Sequence, residues 1–150
     1  MSKHQIKKGI GMDGSKAKIA IILSEFNIHI GEELLKNTVE ELKRCGTKKI
    51  EIIRVPGALE IPLTAQKIIE KKSPDAVIAL GVIIKGQTSH YEHVSRESIN
   101  GLMTVSLLTG TPIIQGILTV LNEKQAKKRI VLGKEYAQTA LSIIKTFSSL

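Results

Sequence analysis

A polar segment at residues 85–90 (Lys-Gly-Gln-Thr-Ser-His) directly follows an apolar run at residues 76–84. The apolar run predicts a buried strand, and the Lys-Gly pair predicts a turn. Thr88 and Ser89 are residue types that begin helices, and Ser89 with Glu92 matches the Ser-x-x-Glu capping box. A helix starting here would point free backbone N–H groups and the positive end of its dipole out of the strand's carboxyl edge. Such an arrangement is suited to binding a phosphate.

His90 falls in the first turn of this predicted helix. The helix dipole disfavours a positive imidazole at that place, so the neutral form should be available as a general base. A phosphate cradle and a candidate base would then lie within a few residues of each other. The alternative is a capped helix that carries an exposed histidine without a chemical role.

Three further residues could contribute to a site. Phe26 follows the first apolar run and could stack on a flat heterocycle or merely plug the edge of a sheet. Glu60 follows Pro-Gly near a predicted helix start and could bind sugar or polyol hydroxyls. Arg129 could pair with a phosphate or be a solvated surface charge. No pattern typical of a metal site, a P-loop, a Rossmann glycine fingerprint or a Gly-x-Ser-x-Gly elbow occurs.

Short apolar runs alternate with segments of helical periodicity along the chain. Strands are predicted at 18–23, 50–55, 76–84 and 113–120, and helices at about 30–42, 59–69, 89–108, 123–131 and 136–147. This alternation predicts an α/β fold, a three-layer αβα sandwich around a four-stranded, mostly parallel sheet. Ligands of such sheets bind beyond the carboxyl ends of the strands, where the residues named above should meet. Residues 18–150 are expected to form a single domain.

Composition limits the classes of protein to be considered. The 150 residues carry a formal net charge of +8 but only 3% aromatic residues, and the lysines are scattered in small clusters. This distribution favours a lysine-rich surface over a nucleic-acid-binding face, although a weak attraction for phosphorylated metabolites remains open. No apolar run is long enough for a membrane span. The single cysteine, Cys45, favours a reducing compartment, and we expect a cytoplasmic protein.

Four segments together resemble the lumazine synthase family. They are residues 26–27 (Phe-Asn), 55–62 (Val-Pro-Gly-Ala-Leu-Glu-Ile-Pro), 79–92 (Ala-Leu-Gly-Val-Ile-Ile-Lys-Gly-Gln-Thr-Ser-His-Tyr-Glu) and 112–119 (Pro-Ile-Ile-Gln-Gly-Ile-Leu-Thr). The segments occur in the family's order and at its spacing. The resemblance covers residues 18–129 well and the last helix loosely. It implies a flavodoxin-like fold. It also implies an N-terminal arm at residues 1–17, for which an extra strand that pairs with a neighbouring subunit is one alternative.

The resemblance also implies a reaction and a set of roles. Members of the family condense 5-amino-6-(D-ribitylamino)uracil with 3,4-dihydroxy-2-butanone 4-phosphate to 6,7-dimethyl-8-ribityllumazine, the penultimate step of riboflavin biosynthesis, without a cofactor or metal. His90 would be the acid/base. The residues expected at the aminouracil are Phe26, Ala58, Leu59, Glu60, Val82, Ile83, Ile84 and Gln115. Those expected at the butanone phosphate are Gln87, Thr88, Arg129 and Lys134.

Two departures from the family pattern bear on ligand preference and assembly. Gln115 stands where the family usually has an aromatic residue, which a neighbouring subunit contributes over the pyrimidine. The joint after Arg129 is shortened, and Lys134 is the match to the family's lysine. The resemblance implies a homopentamer whose active sites lie between subunits. Because the joint is shortened, the sequence does not decide whether pentamers assemble into an icosahedral shell of sixty subunits. A weakly catalytic flavin- or lumazine-binding or shell-forming homologue is the alternative function.

Overall fold

The computed structural model describes residues 12–150 and places four strands and five α-helices in alternation. The strands are β1 (Lys18–Ser24), β2 (Lys49–Val55), β3 (Ala76–Ile84) and β4 (Ile113–Val120). The helices are α1 (Ile28–Arg44), α2 (Ile61–Lys72), α3 (His90–Thr109), α4 (Glu123–Arg129) and α5 (Leu132–Ser148). One 3₁₀ turn, Ala58–Glu60, leads into α2. The predicted α/β class and the alternation of elements are confirmed.

The four strands form one sheet in the order β2-β1-β3-β4, and every neighbouring pair is parallel. Parallel neighbours need crossover connections, which the helices provide. β3 is central and almost entirely buried, because helices cover both of its faces. The chain places β2 on one side of β1, and β3 and β4 on the other side. The strand order therefore reverses between β1 and β3, whose carboxyl ends lie side by side.

Side chains alternate between two hydrophobic cores, one on each face of the sheet. Ile19, Ile21 and Leu23 of β1 pack with α1 and α5 on the first face. Ala20 and Ile22 of the same strand pack with α2 and α3 on the second face. The period of two along β1 therefore assigns successive residues to opposite helical layers. Each face is sealed by a pair of helices, which leaves the strand ends as the place for a site.

The α1–α5 layer contains a buried carboxylate. Glu41 is only 5% exposed, and its carboxylate accepts hydrogen bonds from Arg44 at 2.5 Å and from Gln138 of α5 at 2.9 Å. These bonds outweigh the desolvation of the carboxylate and lower the pKa of Glu41 to about 2. The same interface brings the Gly133 backbone of α5 so close to α1 that an added Cβ would lie 2.6 Å from the Leu34 carbonyl oxygen.

The bounds of the last two helices differ from the prediction, and most of the predicted N-terminal arm lies outside the described residues. The last helix begins at Leu132 instead of at 136, since Gly133 allows the first turn to pack directly on α1. The preceding helix ends at Arg129 instead of near 131. Residues 1–11 of the predicted arm at residues 1–17, and any extra strand there, lie outside the described residues. In the described rest of the arm, the Gly14 N–H donates to the Cys45 carbonyl at 2.7 Å.

Candidate active site

A cavity of about 360 Å³ opens where β1 and β3 end, on the face that carries α2 and α3. This volume is within the range of small-molecule sites. Nine of the predicted site residues line it: Phe26, Ala58, Leu59, Glu60, Val82, Ile83, Ile84, Thr88 and His90. Segments far apart in sequence therefore meet at one place, as the rule for ligand sites in parallel sheets requires.

The Phe26 side chain stands at the rim of the cavity and is 71% exposed. Its neighbour Asn27 adopts a left-handed backbone conformation with φ 54°, which lets the chain turn sharply from β1 into α1. The Asn27 side-chain amide donates to the Val82 carbonyl at 2.9 Å and so ties this turn to the end of β3. An exposed aromatic ring held on a fixed turn can stack on a flat ligand without first being moved out of a core.

The Pro-Gly turn after β2 forms the wall opposite the end of β3. A Cβ added at Gly57 would lie 3.0 Å from the Glu60 carboxylate and 3.7 Å from the Phe26 ring, so both side chains lie close to this turn. The 3₁₀ turn Ala58–Glu60 buries Ala58 and leaves Leu59 and Glu60 exposed. The Glu60 carboxylate is thus available at the cavity, next to the ring of Phe26, to accept hydrogen bonds from hydroxyl groups.

The segment between β3 and α3 retains the free N–H groups that the sequence predicts. Among the described residues, no acceptor binds the backbone N–H groups of Gln87, Thr88 or Ser89. The His90 N–H reaches only the Thr88 hydroxyl, at 3.4 Å. A row of unused donors at the start of a 20-residue helix is suited to an anion.

The predicted capping box is wrong. The Ser89 side chain makes no capping hydrogen bond. The Glu92 carboxylate lies 3.6 Å from the Lys85 ammonium instead of returning to the Ser89 backbone. This ion pair spans the turn and competes with the capping geometry for the same carboxylate. The consequence is that the Ser89 N–H, which a capping box would have bound, stays free for a ligand.

His90 is the first residue of α3, and its exposed side chain lines the cavity beside the free N–H groups. Apolar residues of β3, Val82 and Ile83, line the cavity as well. An imidazole at the border between an apolar wall and an anion site can transfer protons to a ligand that occupies both. Within residues 12–150, no group of three or more His, Cys, Asp or Glu side chains could hold a metal ion.

Four predicted site residues do not line this cavity. The exposed Gln87 lies in the turn before α3 but outside the lining. Gln115 sits on the outer strand β4, where its side-chain amide bonds the backbone N–H and carbonyl of Ile117 at 3.1 and 3.3 Å. Arg129 donates to the Gln125 carbonyl of its own helix at 3.0 Å. Lys134 lies in the first turn of α5, where its charge helps to lower the pKa of Glu41.

Several lining residues were not predicted from the sequence. Ser24, Asn27, Tyr91 and Val94 border the cavity. A signal existed for the first two, because they flank the end of a predicted strand at the edge where ligands bind. Val94 follows His90 by four residues and Tyr91 by three, so the face of α3 that carries His90 could have been extended to Val94.

Comparison with known proteins agrees with this geometry. The family model of 6,7-dimethyl-8-ribityllumazine synthase matches residues 16–148. A protein of that name from Pyrococcus furiosus is 42% identical over 141 residues, covering 91% of this chain and 89% of the relative. Its namesake from Nitrosospira multiformis is 44% identical over 135 residues, covering 88% and 84%. A third, from Methylobacillus flagellatus, is 40% identical over 144 residues, covering 94% and 97%.

Proposed function

The chain belongs to the 6,7-dimethyl-8-ribityllumazine synthase family, and we infer from this and from its cavity the reaction that it catalyses. It is an enzyme that condenses 5-amino-6-(D-ribitylamino)uracil with 3,4-dihydroxy-2-butanone 4-phosphate. The products are 6,7-dimethyl-8-ribityllumazine, inorganic phosphate and water. The observation that carries the assignment is the cavity shared by the exposed ring of Phe26, the Glu60 carboxylate, the imidazole of His90 and Thr88 of the segment with free N–H groups.

The two substrates divide the cavity by their chemistry. The aminouracil stacks on Phe26 and presents its ribityl hydroxyls to Glu60, while Ala58 and Leu59 with Val82, Ile83 and Ile84 enclose it. The phosphate of the second substrate lies on the free N–H groups of residues 87–89, assisted by the Gln87 and Thr88 side chains. His90 lies between these two places and transfers protons.

The reaction needs little beyond positioning and proton transfer. The aminouracil amine attacks the butanone carbonyl, a Schiff base forms with loss of water, phosphate leaves, and the ring closes with loss of a second water. Holding two reactants in one cavity can supply an effective concentration of about 10⁵ M or more. A general acid/base adds about 10²- to 10⁴-fold.

Gln115, Arg129 and Lys134 fit this proposal if a second subunit contributes them. Four large apolar side chains on α2 and α3 are strongly exposed: Leu63 at 62%, Met103 at 62%, Leu107 at 77% and Leu108 at 80%. An apolar patch of this kind supports contact with another copy of the chain. We propose a homopentamer with its active sites at the subunit boundaries; assembly of pentamers into a sixty-subunit shell depends on the α4–α5 joint.

Small-molecule substrates are the proposed partners, and we propose neither a nucleic-acid nor a membrane partner. Within residues 12–150, no helix combines the length and apolarity that a membrane crossing requires. The cytoplasm is the proposed location, because the lone cysteine of the sequence, Cys45, is a buried free thiol, as a reducing compartment allows.

The purified protein should form the lumazine when both substrates are supplied together. The measurement is the fluorescence of the product, with phosphate release in the same samples as an independent readout. Omission of either substrate is the control. Binding of the product without turnover would instead support the weakly catalytic, ligand-binding alternative.

Arg129→Ala should raise KM for the butanone phosphate about tenfold or more, because a guanidinium–phosphate contact is a strong charge-assisted interaction. KM for the aminouracil should change little. The matched control is Lys128→Ala, which removes a neighbouring exposed charge of the same helix. Equal effects of the two substitutions would indicate a general field effect and remove Arg129 from the site.

A further inference from the structure

Ser24 is a buried hydroxyl-bearing residue at the end of β1 that borders the cavity. It is 1% exposed, and it lines the cavity together with apolar residues of β3. The alternation along β1 places its side chain on the same face as Ala20 and Ile22, toward α2 and α3. The strand therefore ends with a polar group where the pattern of this face is otherwise apolar.

The Ser24 hydroxyl is not used by the fold. Among the described residues, its Oγ makes no hydrogen bond, whereas the Ser98 hydroxyl, equally buried, donates to the Val94 carbonyl at 2.6 Å. A hydroxyl that borders a cavity and has no protein partner is normally satisfied by water or by a bound ligand. Because Ser24 borders the cavity, its partner can be a molecule bound there.

Gly81 on the neighbouring strand β3 makes the space for this hydroxyl. A Cβ added at Gly81 would lie 2.5 Å from the Ser24 Oγ and 3.6 Å from Ile117 of β4. The backbone of Gly81 is not in the left-handed region, so conformational freedom does not require a glycine here. The absence of a side chain at Gly81 therefore lets the Ser24 hydroxyl fit beside β3, at the edge of the apolar wall of the cavity.

We propose that the Ser24 hydroxyl hydrogen-bonds a polar atom of the aminouracil substrate and contributes to its selection. The inference rests on the proposed function, which places that substrate against the same wall. A serine hydroxyl can donate and accept, so it suits a substrate rich in carbonyl, amine and hydroxyl groups. An apolar analogue of the same size would leave the hydroxyl unpaired and should bind less well.

The test compares Ser24→Ala with Ser98→Ala in the assembled enzyme. Because Ser24→Ala removes one neutral hydrogen bond, KM for the aminouracil and Kd for the lumazine product should each rise about three- to tenfold. KM for the butanone phosphate and the melting temperature of the ligand-free enzyme should remain as in the unmodified protein. Ser98→Ala loses a hydrogen bond within α3 and should lower the melting temperature without changing either KM.

The outcomes separate this inference from the function on which it rests. Formation of the lumazine by the unmodified protein establishes the function before any variant is compared. Unchanged aminouracil affinity in Ser24→Ala would overturn the inference and assign the hydroxyl to a bound water. Weaker binding of both substrates, or a loss of stability without a loss of affinity, would also overturn it, because either result indicates a structural role.

Discussion

At the scale of single residues, His90 occupies the border between two chemically different parts of the cavity. The apolar residues of β3 line the same cavity as His90, and the free N–H groups belong to the segment directly before it. Its position needs no long-range contact, because it is the first residue of the helix that follows the central strand. A proton-transfer group at such a border can serve both the amine and the departing phosphate.

His90→Ala should lower kcat by about 10²-fold without abolishing turnover, because positioning of the two reactants would remain. KM for either substrate should change little. The control is His93→Ala, which removes an exposed imidazole one turn further along the same helix and outside the cavity lining. Complete loss of turnover in a folded His90→Ala enzyme would show that proton transfer dominates the catalysis.

Gln115 binds its own strand instead of presenting a free side chain. Its amide bonds the Ile117 backbone at 3.1 and 3.3 Å, on the outer side of the sheet. Gln115→Phe should lower KM for the aminouracil severalfold, because an aromatic ring contributed by a neighbour stacks on the pyrimidine better than an amide does. Steady-state kinetics would measure this. Unchanged affinity would mean that Gln115 does not reach a neighbouring cavity.

At the scale of elements, the contact between α1 and α5 depends on one buried carboxylate. The hydrogen bonds from Arg44 and Gln138 hold the pKa of Glu41 at about 2, below its ordinary value of 4.5. A carboxylate with a depressed folded-state pKa stabilises the fold above its unfolded pKa. This contribution should be lost as pH falls from about 4.5 toward about 2.

Glu41→Gln should reduce the free energy of unfolding by about 2 kcal/mol at neutral pH, since charge-assisted hydrogen bonds are lost. The variant should also lose less stability than the unmodified protein between pH 4.5 and pH 2. Thermal unfolding across that range measures both effects. Glu40→Gln, at an exposed neighbouring position, is the control. Parallel pH profiles for Glu41→Gln and the unmodified protein would contradict the assignment.

The elements were largely predictable from the sequence, since the apolar runs and helical spacings are regular. The β3–α3 segment was predictable in most detail, because strand, turn, capping residues and His90 follow one another directly. The capping box failed because Lys85 competes for the Glu92 carboxylate, and a local motif contains no information about such a partner. The role of Ser24 was not predicted, because the space that its hydroxyl occupies is left by Gly81, a residue of another strand.

At the scale of the whole molecule, we propose that the site is completed by a second copy of the chain. His90 and Thr88 line the cavity, whereas Arg129 and Gln115 make contacts within their own elements. Whether a motif acts in its own subunit or in a neighbour is a property of assembly, which periodicity and spacing do not encode. The exposed apolar residues of α2 and α3 are the feature that bears on it.

Activity per subunit should fall steeply when the enzyme is diluted into the range where its subunits separate, because an isolated chain lacks the neighbour's contribution. Light scattering and the specific activity should be measured on the same dilution series. Leu107→Glu places a charge on the exposed apolar face of α3. In this variant, dissociation and the loss of specific activity should both occur at higher protein concentrations. Full activity in a preparation shown to be monomeric would refute the shared site.

The outer strand β4 leaves backbone groups that no described strand pairs, and the Gln115 amide occupies two of them. Unpaired strand edges are templates on which other chains can add, so the amide should make this edge less available for such pairing. Exchange of Gln115 for an aromatic residue would then improve ligand stacking at the expense of solubility during folding. We therefore expect the glutamine and aromatic variants to differ in opposite directions in substrate affinity and in the yield of soluble protein.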